Sequence, residues 1–209
     1  MHPPSSGISR RIAASIQALQ ASDYEGCLVH YFPALDATAK RRRPKDRVGD
    51  RIRRFLDDEE AAIFLIAGGH RFFGNFVDGF CFSDAVYQYG RTSVMHEGVL
   101  DPRLSFDEVN GFQLGSHWKL NPSFIAALLV AAMMAPENER ERYSSEVTFS
   151  IAGRLWRLEE IWGAREAVRI HLAQRFNLEG NFAWNALSEA ERDDHRKLAR
   201  RLSQHHDAA

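Results

Sequence analysis

Residues 124–135, FIAALLVAAMMA, run for twelve positions without a polar side chain. A helix that is apolar on every side is buried, and this stretch falls short of the roughly 20 residues that a bilayer-spanning helix needs. It is therefore expected to be a core helix, opened by Asn121-Pro122-Ser123 with proline in the first turn. A 209-residue chain with 44% apolar and 26% charged residues can surround such a helix, as one domain or one domain with an extension. The charges nearly cancel, 27 Lys+Arg against 28 Asp+Glu, for a net charge of -1. Whole-chain charge therefore gives no argument for a nucleic-acid or membrane partner, and any such argument has to come from a local cluster.

The chain before this helix reads as helical. Ile12, Ile16 and Leu19 recur at helical spacing within 9–21. Ser22-Asp23 offers an N-cap for a second helix from Tyr24 through Leu28, Phe32, Leu35 and Ala39, with a break or kink at Pro33 and an end at Pro44. A third stretch covers 47–56, and 59–67 either continues it or starts anew before Gly68-Gly69. The aromatic, glycine-bearing run 72–82 reads as loop or irregular helix, and Ser83-Asp84 is expected to cap a helix from Ala85 to His96, stopped at Gly98. Residues 103–108 alternate, Asn110-Gly111 is a hairpin turn signal, and 112–120 is the expected return strand. Pro136 and the charged run 137–142 read as a linker. Beyond it come a strand at 146–151, helices at 155–162 and 164–176, and a terminal helix opened by the capping box Ser188-x-x-Glu191. The fold class is mainly α, with a helical region before Pro136 that carries a β-hairpin insertion at about 103–120, and a small mixed extension over 137–209.

Cys27 and Cys81 form no C-x-x-C pair and no metal-like spacing with histidine, so both read as buried thiols, with no metal and no cofactor implied. The polar N-terminus lacks an apolar run of signal-peptide length, so the expected location is cytoplasmic, without a membrane.

One segment combines residue types that carry chemistry: Tyr87-Gln88-Tyr89-Gly90-Arg91-Thr92-Ser93-Val94-Met95-His96-Glu97-Gly98. Arginine stays charged and binds phosphoryl oxygens in a bidentate way, and histidine titrates near neutrality and moves protons. Positions five apart lie about 140° apart around a helix, so Arg91 and His96 do not share a stripe, whereas Thr92 and His96 do. A site built on them belongs at a crevice between helices or between subunits. The alternative is structural, with Arg91 bonded to Glu97 or a helix-end carbonyl and His96 favoured by the helix dipole. Similar spacings recur at Arg200/His205 and Arg201/His206, so context has to separate them.

That context resembles the HEPN superfamily, small helical domains of bacterial toxins and antiviral ribonucleases. Their signature is an arginine, four to six residues, then a histidine near a helix end. The stretch ending in RTSVMHEG is similar to it, over roughly residues 8–136, with Thr92 where Asn, Asp or His often follows the arginine. The resemblance implies an up-and-down helical bundle over 8–136 and a metal-independent endoribonuclease of toxin or defence type, acting on RNA as a homodimer, with a protein antitoxin as a further partner. Arg91 and His96 would be catalytic, with Thr92, Glu97 and Tyr87 in support. The segment 40–54 carries nine basic and two acidic residues. Its Arg41, Arg42, Arg43, Lys45 and Arg47 are candidate RNA-backbone contacts, or else a solvated charged face. The alternative class is a non-catalytic helical module that binds a protein or a nucleotide.

Overall fold

Helices α1 (Gly7–Gln20) and α2 (Tyr24–Arg42) begin at capping side chains. Ser6 accepts from the amides of Ile8 and Ser9 while the Ser9 hydroxyl returns the bond to Ser6. Asp23 accepts from Gly26 N at 2.8 Å. The structure is a computed structural model, and it describes residues 6–71, 74, 76–77, 79–107, 111–143, 145–180, 182–184, 188, 190–194 and 196–197. Helix α2 passes through Pro33 without a break. Tyr31, Phe32, Ala34 and Leu35 on either side of the proline are buried, so packing holds the turn that lacks one hydrogen bond.

Helix α3 (Val48–Gly68) is one continuous element that ends at Gly69 in the left-handed region, φ 71°. The apolar stretch forms α6 (Ser123–Met134) and lies in the middle of the molecule, as its composition requires. Phe124 sits 5.1 Å, ring centre to ring centre, from Phe64 of α3. The Ser123 hydroxyl donates to Ala67 O at 2.6 Å, tying the start of α6 to the end of α3. The fold is mainly helical with small β elements, as expected.

The β insertion is wired differently from the expected hairpin. Strand β1 (Leu104–Phe106) pairs in parallel with β3 (Trp118–Leu120), and β2 (Phe112–Gln113) pairs antiparallel with the other edge of β3. The hairpin therefore joins β2 to β3; of the turn signal, Gly111 is described and Asn110 lies outside the described residues. Pairing Leu104 with Trp118 and Phe106 with Leu120 turns all four apolar side chains into the core, and that burial fixes the register.

After α6, the charged run 137–142 is tied down rather than free as a linker. Asn138 donates to Ala132 O at 2.8 Å and to Thr38 Oγ1 at 2.9 Å, Arg41 donates to Glu141 at 2.9 Å, and Ser6 donates to Glu141 as well. Strands β4 (Thr148–Ile151) and β5 (Arg154–Arg157) form a hairpin, so the expected helix at 155–162 shrinks to α7 (Leu158–Ile161). The turn uses Ala152 (φ 48°) and Gly153 (φ 86°), the left-handed pair of a two-residue hairpin. Helix α8 (Arg165–Arg175) follows, and Ser188 and Glu191 make their capping box before the helical residues 190–194 and 196–197. Phe149, Ile151, Trp156, Leu158, Ile161, Trp162, Val168 and Leu172 join the same core as α1, α2, α3 and α6, so packing is continuous across the expected boundary at 136/137.

Candidate functional site

The Arg91–His96 segment lies on one helical run from Phe82 to Glu97 that changes pitch twice. It is α-helical over α4 (Phe82–Ala85), π-helical over Val86–Thr92, and α-helical again over α5 (Ser93–Glu97). Cys81 occupies the N-cap position, with no side-chain cap. Ser83 and Asp84, expected as caps, lie inside the first turn, where both are committed to buried partners.

The wide turn has local causes. Gly90 packs against Phe32, and a Cβ there would stand 2.9 Å from Phe32 Cζ. The Thr92 hydroxyl donates to Tyr87 O at 3.1 Å, and Asp101 N donates to Tyr89 O at 3.1 Å, so groups outside the ordinary helical ladder satisfy two carbonyls of this turn. π-turns of this kind are frequent at functional sites. Gly98, at φ 79°, ends the run and donates to Val94 O at 3.1 Å.

Arg91 is half-buried, with its guanidinium carbon 5.9 Å from the centre of the Tyr87 ring. Arg53 of α3 approaches the same ring at 4.2 Å. Among the described residues Arg91 forms no hydrogen bond or ion pair, and neither do His96 and Glu97, which are both exposed at the helix end. The Thr92 hydroxyl is spent on the backbone, so its part is to shape the turn. Arg91 therefore does not bond Glu97 or a helix-end carbonyl. Met95, 42% exposed, and Val99, 51% exposed, lie close to His96 in the chain and leave an apolar surface beside it.

The 40–54 cluster divides in two. Arg42 pairs with Asp58 (2.8 Å), Glu59 (3.0 Å) and Glu137 (2.8 Å), and Arg43 pairs with Asp58 at 2.9 Å. Arg41 reaches Glu141, Asn138 and Glu137 O but stays exposed along one side. Arg51, Arg53 and Arg54 pair with Asp36, Asp84 and Asp46. Lys45 and Arg47 are exposed and without an ion pair among the described residues. A cleft of about 260 Å³ is lined by Asp50, Arg53, Arg54, Asp193, Arg196 and Lys197. It includes neither Arg91 nor His96.

The largest concentration of buried charge escaped the sequence reading. Asp57, Glu59 and Glu60 are buried on α3. Glu59, fully enclosed, faces Arg42, Arg165 (3.1 Å) and Arg169 (3.4 Å). Asp57 and Glu60 face Arg192 at 3.0 and 2.9 Å. Burial pushes the Glu59 and Glu60 carboxyls up, against the lowering effect of these arginines. Cys81, buried beside them, donates its thiol to Asp84 at 2.9 Å. Burial and then the charges of Asp84 and Asp57 push that thiol up to about 12, which makes it inert at neutral pH. The available signal was the run Asp57-Asp58-Glu59-Glu60 set between Phe55-Leu56 and Ala61-Ala62-Ile63, four acids with too many apolar neighbours to face solvent together. Among the described residues no group of three or more His, Cys, Asp or Glu side chains is arranged to hold a metal ion, and no helix is long and apolar enough to cross a membrane.

The family model described as Rv1289 matches residues 7–184, and the chain belongs to that family. No curated protein and no solved structure matches the chain.

Proposed function

We propose that this Rv1289-family chain cleaves RNA without a metal, as HEPN-like domains do, with Arg91 holding the scissile phosphate and His96 transferring the proton. The observation that carries the reading is the state of this pair. Among the described residues, where most arginines are held by carboxylates, the Arg91 side chain has no hydrogen bond or ion pair beside Tyr87, and His96 stands exposed and unbonded one residue before the helix ends. Arg91 lies in the π-helical stretch, where backbone geometry departs from the ordinary ladder, and His96 in the α-helical turn that follows it.

The chemistry assigned to them is transesterification. The ribose 2′-oxygen attacks phosphorus, its proton goes to a base, the bond to the 5′-oxygen breaks, and that oxygen takes a proton. A cyclic phosphate and a 5′-hydroxyl result. One histidine serves one proton transfer at a time, so a second copy of the chain, meeting this one over Met95 and Val99, supplies the other. Arg91 stabilises the charge that grows on the phosphoryl oxygens. Glu97 is free to orient either group. Lys45, Arg47 and the open side of Arg41 are the members of the basic cluster still available to RNA backbone, whereas Arg42 and Arg43 are architectural. The reading places the protein in the cytoplasm, in toxin or defence work, with a neutralising protein as a further partner.

A second reading is a non-catalytic helical binding module. It is favoured by the cleft at Asp50, Arg53, Arg54, Asp193, Arg196 and Lys197, which excludes both residues of the pair. Incubating the purified chain with a mixed RNA pool in EDTA separates the two. Cleavage is expected, with rates lowered about 10²–10⁴-fold in His96→Ala at unchanged folding. Cleavage that survives both His96→Ala and Arg91→Ala removes the site assignment, and RNA left intact by the wild type in dimeric form favours the binding module.

A further inference from the structure

The helical residues 190–194 and 196–197 are held to the molecule in an unusual way. Among their described members none contributes an apolar side chain to the core, and only Arg192 is buried. What docks the segment is two guanidinium groups in an acidic recess. Arg192 Nη1 reaches Asp57 Oδ1 at 3.0 Å and Glu60 Oε2 at 2.9 Å. Arg196 Nη2 reaches Asp57 Oδ2 at 3.0 Å and Ser83 Oγ at 2.8 Å, and its Nε lies 3.2 Å from Asp84 Oδ1. Ser83 in turn donates to Asp57, the Cys81 thiol donates to Asp84, and Gly74 N donates to Glu60. Ser83, Cys81, Gly74 and both guanidinium groups thus all donate to the carboxylates of the recess, and Arg196 adds a bond to the Ser83 hydroxyl.

The recess is balanced only when the segment is seated. Asp57, Glu60 and Asp84 supply three negative charges, and Arg53 is the cation on a neighbouring element that shares Asp84, at 3.0 Å. With Arg192 and Arg196 withdrawn, two carboxylate charges in a largely buried site lose their partners. Asp84 also sits on the first turn of the helix that carries Arg91. Arg53 stacks 4.2 Å from the centre of the Tyr87 ring, and Arg91 approaches that ring at 5.9 Å. A row of contacts thus runs from Arg196 through Asp84, Arg53 and Tyr87 to Arg91. When Arg196 leaves, Arg53 is the remaining cation on Asp84 among the described residues, and the Arg53 contact with Tyr87 carries the change toward Arg91.

We infer that the C-terminal segment is a releasable guanidinium latch, seated by Arg192 and Arg196 in the Asp57–Glu60–Asp84 recess, and that its seating positions the helix carrying Arg91 and His96. The latch itself rests on this geometry; its effect on cleavage rests on the ribonuclease reading above. Arg192 and Arg196 are positioning residues, since neither touches the pair.

The test is hydrogen exchange on the full chain, comparing wild type, the double variant Arg192→Gln/Arg196→Gln, the single variant Arg196→Lys, and Lys197→Gln as a control on an exposed cation. In the double variant the amides of 190–197 are expected to exchange about tenfold faster or more, and those of 82–97 several-fold faster, with 7–42 unchanged. Arg196→Lys keeps the charge and loses the planar fork, so a smaller loosening confined to the same two segments is expected. Lys197→Gln behaves as wild type. Free exchange of 190–197 in the wild type overturns the latch, as does release of that segment with 82–97 unmoved. Should the double variant loosen everywhere, Arg196→Lys decides: protection of 190–197 equal to wild type overturns the proposal. RNA cleavage is read in parallel and is expected to fall about tenfold in the double variant, in step with the loosening of 82–97. A wild type that cleaves nothing ends the ribonuclease reading and leaves the exchange result to judge the latch.

Discussion

Two sets of basic side chains in this molecule live under opposite conditions. Around Asp57, Asp58, Glu59 and Glu60 of α3, the guanidinium groups of Arg42, Arg165, Arg169, Arg192 and Arg196 are enclosed and shared among carboxylates. Along the Phe82–Glu97 helical run, Arg91 faces the Tyr87 ring and His96 is exposed, and neither side chain has a hydrogen bond or ion pair among the described residues. The first set joins α2, α3, α8 and the C-terminal segment, elements distant in sequence. Breaking one buried pair strands a charge in a low-dielectric site, so Arg42, Arg165 and Arg169, which hold α2 and α8 to Glu59 of α3, are architectural, while Arg192 and Arg196 seat the C-terminal segment. The second set holds nothing together, and the fold loses little without it. Saturation of hydrogen bonds, more than residue type, separates structural arginines from those free to meet a ligand.

The comparison is tested most severely by Arg42→Met. That side chain serves Asp58, Glu59 and Glu137 and lies 4.4 Å from the centre of the Phe55 ring. Its removal leaves Glu59 enclosed and undercompensated, so a loss of about 3–5 kcal/mol in urea unfolding is expected; a change below about 1 kcal/mol would place Arg42 with the surface cations. A smaller effect is expected in acid. Burial raises the Glu137 carboxyl, but its hydrogen bonds and charge contact with Arg42 outweigh that and leave it below the ordinary value of 4.5. A folded value below the unfolded one gives stability that is present above pH 4.5 and lost as pH falls through the folded value. The stability gap between wild type and Glu137→Gln should therefore be widest near neutrality and close on acidification below 4.5; a gap that widens in acid reverses the sign. The smallest effect falls on Arg91→Ala. With a single cation–π contact, its loss should change stability by about 1 kcal/mol or less. A loss as large as that of Arg42→Met, measured in the same denaturant series, would move Arg91 into the architectural set.

Much of the helical layer was legible. The capping residues Ser22-Asp23 and Ser188-x-x-Glu191, the apolar spacing of Ile12 and Ile16, and the glycine stops at 68–69 and 98 are local signals, and each falls where the structure uses it. At Pro33 the helix does not break, because its missing hydrogen bond is a local cost that buried packing on both sides overrides. The strand at 154–157 was read as helix because Leu155-Trp156-Arg157-Leu158 has no clear period; the Ala152-Gly153 turn decided it. Of the candidate site, residue identities were legible and their surroundings were not. Arg41, Arg42 and Arg43 look alike in sequence, yet their carboxylate partners include Glu137 and Glu141, close to a hundred positions away.

The sequence alone determined that 124–135 must be the buried helix, because twelve apolar residues leave no face for water. It also marked the helix ends at Asp23, Gly69 and Gly98, since caps and glycines act within a turn of themselves. Only the tertiary structure decided that the parallel partner of β1 is β3, that Asp57, Glu59 and Glu60 lie inside the molecule, and that Arg91 and His96 are left unbonded. Those outcomes depend on which distant groups arrive to share a burial or a charge, and a buried carboxylate is stable only after its arginines have come.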